Sequence, residues 1–258
     1  MGLLSRWRRW REDRQLAGLQ VDAALWQQAL GDWPLWQQLA PAQRQQLQQL
    51  ALRFLLRIRL IAIQPVDLDD RLRLRIAGMA VAPVLQLGLD AYAGLRTLII
   101  YPDAFISPQQ WQDDAGVVHE ELSERSGEAW ERGPVVLSLA DILASGQGNG
   151  YNVVIHELAH VLDMRQQGAN GAPLLPVGVS PQRWSQLMQQ AWEDLCRREQ
   201  SGLPLPIDAY ALADPAEFFA VLCEHFFDAP QPLREYWPEL HALLVDYFGY
   251  QPFAGKQV

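Results

Sequence analysis

Apolar residues recur at helical spacing over residues 22–63. Leu and Trp alternate with Gln in Leu35-Trp36-Gln37-Gln38-Leu39, and Leu47, Leu50 and Leu55 continue the stripe between Ala42 and Leu56. Such spacing gives a helix one face to bury and one to solvate. Pro41 stands where a second helix would begin, because proline fits a first turn. Gln64-Pro65 closes the region. Residues 69–87 are again helix-compatible, with Pro83 near the middle or at a boundary. The pattern then changes. Leu95 to Tyr101 is rich in β-branched and apolar residues and stops at Pro102, so it reads as a buried strand. Residues 116–121 and 134–138 read as two more strands, with a short one between them around Ala129-Trp130. Residues 139–144 suit a short helix. Gly146, Gly148 and Gly150 form a flexible approach to residues 151–167, which contain neither Gly nor Pro and read as one helix. After a proline-bearing loop, helices are predicted over 181–200 (with Ser180 as N-cap), from Asp214 to Phe227, and over 238–248. Helices, then a cluster of strands, then helices again indicate an α+β fold with a small mixed sheet. The division expected is an N-terminal helical region at 1–65 and a second unit at 66–258, with a single compact body as the alternative.

Composition narrows the function classes. The chain has 258 residues, 49% hydrophobic and 20% charged, which supports a packed core and excludes wholesale disorder. A net charge of −9 argues against coating nucleic acid. Two cysteines, Cys196 and Cys223, cannot build a disulfide scaffold or a Cys-rich zinc module. No apolar run is long enough to span a membrane, and no signal-peptide pattern opens the chain, so a cytoplasmic protein is expected. The basic, Trp-bearing segment Arg6 to Arg14 reads as a solvated end, with contact to anionic lipid or a partner as the alternative. Gly-rich phosphate loops and the G-x-S-x-G elbow are both missing.

The chemistry concentrates in Asn152-Val-Val-Ile-His156-Glu157-Leu-Ala-His160-Val-Leu-Asp163. On a helix, positions i and i+4 share a face, so His156 and His160 can reach one ion. Tetrahedral zinc accepts imidazole nitrogens, and Glu157 beside it can serve as the general base toward a zinc-activated water. A catalytic zinc needs a third protein ligand. The helix from Asp214 offers Glu217 and Glu224, seven residues apart on one face. Glu217 also completes a capping box with Asp214, and spacing alone leaves cap and ligand both open. Asp163, one turn beyond His160, and Glu224 are candidates to orient a ligating imidazole, or to form ordinary salt bridges. His225 and His241 sit among aromatics and read as structural.

VIHELAHVLD together with DAYALADPAEFFAVLCEHFF resembles the Mlc titration factor A family of bacterial zinc peptidases, itself similar to the catalytic domain of anthrax lethal factor. The resemblance spans roughly residues 70–250. It implies a zincin-like fold, one Zn2+ per chain held by His156, His160 and Glu217, and Glu157 as base. It implies that Tyr210, seven residues before Glu217, supports the oxyanion. An upstream histidine near the metal is also associated with the family, which makes His119 a possible fourth ligand; a surface strand histidine is the other reading. An aminopeptidase-like activity on peptide substrates and a regulatory link to the Mlc glucose repressor are further implications. The competing function is a non-catalytic regulator that sequesters a transcriptional repressor. A closed structural zinc site is the weaker third reading.

Overall fold

The computed structural model describes residues 3–18, 21–103, 105–112, 118–125, 127–129, 133–165 and 168–253; the strands within 105–129 and most of residues 3–9 are described by backbone alone. The chain opens on helices α1 (Leu3–Leu16), α2 (Ala23–Leu30), α3 (Pro34–Gln38) and α4 (Pro41–Arg57). The end expected to be solvated does keep most of the described side chains of α1 exposed, Trp7 and Trp10 among them, but it is helical and anchored. Glu12 is buried, and Arg57 grips its carboxylate from Nε at 2.8 Å and Nη2 at 2.9 Å. Arg53 adds a 2.6 Å pair to Asp13. These pairs fasten α1 along α4.

The helical reading to residue 63 is wrong at its end. Residues Arg59–Ala62 form strand β1, joined directly to α4. The run Ile58-Arg-Leu-Ile-Ala-Ile63 has the β-branched content of a strand. Its place in a sheet outweighs the helical pattern before it. Helix α5 (Asp70–Val81) follows, with the Asp69 side chain accepting from Leu72 N at 2.7 Å. It ends two residues ahead of Pro83, short of the expected 87: Ala82 is still helical in geometry, but Pro83 has no N–H with which to continue the ladder.

The sheet contains β1, β2 (Thr97–Tyr101), β5 (Gly127–Ala129) and β6 (Val135–Ser138), in the order β1-β2-β6-β5. The first three neighbours are parallel, and β5 is antiparallel to β6. Leu60, Leu98 and Val135 stand side by side in register and form one buried apolar row across the three parallel strands. Between them β3 (Phe105–Gln112) and β4 (Val118–Arg125) pair as an antiparallel hairpin. Strand β3 was not expected, since Pro108 and three Gln obscure its pattern. The fold is α+β with a small mixed sheet.

Helix α6 (Leu139–Ala144) and the glycine-bearing turn lead into α7 (Val153–Asp163). The expected helix of 151–167 is shorter at both ends. Asn152 caps its start by accepting from Ile155 N at 3.1 Å. Then come α8 (Pro181–Gln200), a 3-10 turn at Ala209–Leu212, α9 (Pro215–Asp228), α10 (Gln231–Tyr236) and α11 (Pro238–Phe248). Helix α7 packs against α9, α5 and β6. One core cluster runs from Trp33 and Phe54 in the N-terminal helices to Val154, Phe218 and Phe226. Rigid packing on several sides fixes the backbone that carries the histidines.

Candidate metal centre

Helices α7 and α9 bring three side chains to one point. His156 Nε2 lies 2.9 Å from Glu217 Oε2, His160 Nε2 lies 3.4 Å from the same oxygen, and the two ring nitrogens are 3.2 Å apart. Ligands about 2.0–2.1 Å from a tetrahedral zinc sit about 3.3 Å from each other. The triangle therefore has the size of one face of such a site. Among the described residues, this is the one group of three or more metal-binding side chains.

The chemistry of the donors points the same way. His156 Nδ1 is 2.8 Å from Glu224 Oε1, and a carboxylate there makes Nδ1 the protonated nitrogen. Nε2 then presents its lone pair to a carboxylate oxygen and a second imidazole. Three electron-rich atoms this close need a cation among them. In the protein alone a proton takes that place. Burial disfavours a charged His156 ring, but Glu217 and Glu224 outweigh it and raise its pKa well above the usual value. Burial likewise opposes ionisation of Glu217, and the two imidazoles overcome it, holding the carboxyl below its ordinary range.

The other sequence candidates fall around this triangle. Glu157 is 4% exposed, beside His156, and its charge adds to the pull on that ring. Tyr210 stands on the solvent side, more than half exposed, with its ring centroid 6.1 Å from that of His156. Asp208 caps the 3-10 turn that carries it, accepting from Tyr210 N at 2.8 Å. Asp214 caps α9 by accepting from Ala216 N and Glu217 N, so the cap uses the Glu217 backbone and leaves its side chain for the cluster. Asp163 is fully buried: its Oδ2 accepts from Asn170 N and Gly171 N, both at 2.6 Å, and no hydrogen bond joins it to His160, although the charge of that imidazole acts on its carboxyl. His119 lies on β4 opposite Trp111, and its side chain lies outside the described residues.

Two contributors were missed from sequence. Asn152, besides capping α7, donates its backbone N–H to Glu224 Oε2 at 2.5 Å. One carboxylate thus ties the start of α7 to the ring of His156. The signal was present: an Asn just before an apolar helical run is a capping position. Asp228 holds the preceding turn through Gly150 N at 2.9 Å. No local pattern marks that contact, which spans 78 residues. Gly150 has φ +85°, and a Cβ there would come within 2.3 Å of the His225 ring. Gly150→Ala is expected to destabilise the chain by about 2–4 kcal/mol, combining left-handed strain with overpacking. Urea unfolding checks this; a midpoint equal to wild type would show that the turn yields freely.

The model of the glucose-regulated metallo-peptidase M90 family matches residues 7–249. The chain belongs to this family. It is 39% identical over 234 residues to Mlc titration factor A of Pectobacterium atrosepticum, covering 89% of this chain and 87% of that one. The Klebsiella pneumoniae protein of the same name is 36% identical over 250 residues, covering 94% and 91%. That of Escherichia fergusonii is 37% identical over 238 residues, covering 90% and 88%. The chain is thus a member of a metallopeptidase family, and its own His156, His160 and Glu217 form a cluster that could hold a metal. No helix among the described residues is long and apolar enough to cross a membrane.

Proposed function

We propose that the chain is a zinc-dependent peptidase of zincin-like fold, aminopeptidase-like in its action, with His156, His160 and Glu217 as metal ligands. The observation that carries this is the convergence of three ligand atoms at 2.9–3.4 Å, with Glu157 buried alongside. Family membership supports the reaction class. In this reading residues 66–258 carry the chemistry, and the helices of 1–65 cover its core.

Zinc, when bound, lowers the pKa of water toward about 7 and polarises a carbonyl. The chain's own residues do the rest. Glu157 takes the proton of the attacking water and later delivers it to the leaving amine. Its burial keeps it from being levelled by bulk solvent. Glu224 accepts the Nδ1–H of His156 and so aims Nε2 at the ion, a positioning role. Tyr210, exposed beside the cluster, donates its phenol O–H to the oxyanion as charge develops. Tyr210→Phe is expected to lower kcat by about 10²-fold with KM little changed. Its exposure predicts a wild-type melting temperature. A change confined to KM would assign the ring to substrate binding instead.

The name shared by the relatives, Mlc titration factor A, supports a second element, binding of Mlc by this chain; a cytoplasmic location is part of the same proposal. The direct test of the enzymatic reading is metal content of the purified protein, with hydrolysis of chromogenic aminoacyl and short peptide substrates. One zinc per chain and metal-dependent release of product are expected. A metal-free chain that neither takes up zinc nor hydrolyses any member of the set would overturn it.

A further inference from the structure

A cavity of about 530 Å³ lies between α1, the end of α4 and the segment Leu89 to Arg96. Its volume is that of a small-molecule site. The floor is apolar and buried: Phe54, Ile58, Tyr92 and Leu95 are each less than a tenth exposed. The rim is cationic. Three arginines face two acids, and Arg57 answers both acids, at 2.8 Å to Glu12 and 3.1 Å to Asp90. Arg11 and Arg96 are left over. Neither pairs with a carboxylate among the described residues. Arg11 stacks its guanidinium over Trp7, 4.9 Å from the ring centroid, and Arg96 donates only to the Leu95 carbonyl at 2.7 Å. Two guanidinium groups without a carboxylate partner thus stand at the rim of an apolar floor. Trp7, 58% exposed at the rim, adds a flat surface for stacking.

We propose that this cavity binds a small organic anion with a flat or apolar body, such as a carboxylate, sulfonate or phosphate ester on an aromatic group. Arg11 and Arg96 take the anionic group, and the floor takes the apolar part. Arg57 stays engaged with Glu12 and Asp90 and keeps α1 in place as the wall. The site shares no residue with the metal cluster.

The test is fluorescence titration of the full chain with 1-anilinonaphthalene-8-sulfonate, and in parallel with uncharged N-phenyl-1-naphthylamine. Saturable 1:1 binding of the sulfonate is expected, with weaker binding of the neutral dye. Arg96→Glu and Arg11→Glu should each raise the sulfonate Kd about tenfold or more, since each removes a charge-assisted contact. Arg96→Lys should retain most of the affinity. Arg183→Glu, on α8, controls for the loss of positive charge in general. Circular dichroism melts show that each variant folds. Equal affinity of wild type and the Arg96→Glu and Arg11→Glu variants overturns the proposal, as does equal weakening by Arg183→Glu. No saturable binding, with arginine-dependent sedimentation on phosphatidylglycerol vesicles, would also overturn it in favour of a membrane-facing patch.

Discussion

Glu157→Gln is expected to lose peptide hydrolysis by about 10²–10⁴-fold while keeping its metal and its fold. The amide matches the carboxylate in shape, so the buried pocket around residue 157 remains filled. It cannot accept a proton, so the attacking water has no base and the leaving amine no acid. The ligand triangle of His156, His160 and Glu217 is untouched, and zinc content should stay at one per chain. The same variant separates the two functional elements. If the chain also acts by sequestering a repressor, binding measured by calorimetry should survive the substitution while hydrolysis falls. A wild-type rate would remove Glu157 from the mechanism. Joint loss of zinc and activity would make its role structural.

What the sequence disclosed follows the range of the forces involved. His156 and His160 were legible because their relation is local: four residues on a helix share a face whatever the rest of the chain does. The cap of α9 at Asp214 was legible for the same reason. Glu217 stayed open between cap and ligand until the two helices were placed, since only packing of α7 on α9 brings Oε2 to the ring nitrogens. Asp163 and Glu224 were equivalent on spacing. The fold distinguishes them: amides of residues 170 and 171 capture the first, while the second reaches His156 across 68 residues. The strands divide likewise. Residues 97–101 and 135–138 are apolar enough to announce themselves. Strand β1 runs on from a helix without a break, and β3 contains a proline, so only their partners define them. Helix α1 needed the Glu12–Arg57 contact over 45 residues to stop being a loose end.

Stripping the metal is expected to abolish hydrolysis yet leave the chain folded. The core that holds α7 and α9 is extensive and does not pass through the ligand triangle. Dialysis against a chelator should preserve far-UV circular dichroism, and equimolar zinc should restore activity. An ion that binds only the folded chain stabilises it by mass action, about 4 kcal/mol at a thousandfold excess over Kd. For a chain of this size that corresponds to roughly 10 °C in melting temperature. His160→Ala should mimic chelation without rescue. Glu224→Gln should weaken zinc binding about 10–100-fold, because a neutral amide with one acceptor oxygen replaces the carboxylate that accepts from both His156 Nδ1 and Asn152 N. The metal-free chain should also carry its own pH signature. His156 is raised above its unfolded value near 6.5, so the stability its proton supplies is fully present below that pH. It is lost as pH rises through the raised folded value. Zinc displaces that proton, so the loaded chain should lack this alkaline loss, and its affinity for zinc should fall as the solution is acidified. Melting curves of both forms across this range decide it: parallel pH profiles would mean that ion and proton do not compete for the same three atoms.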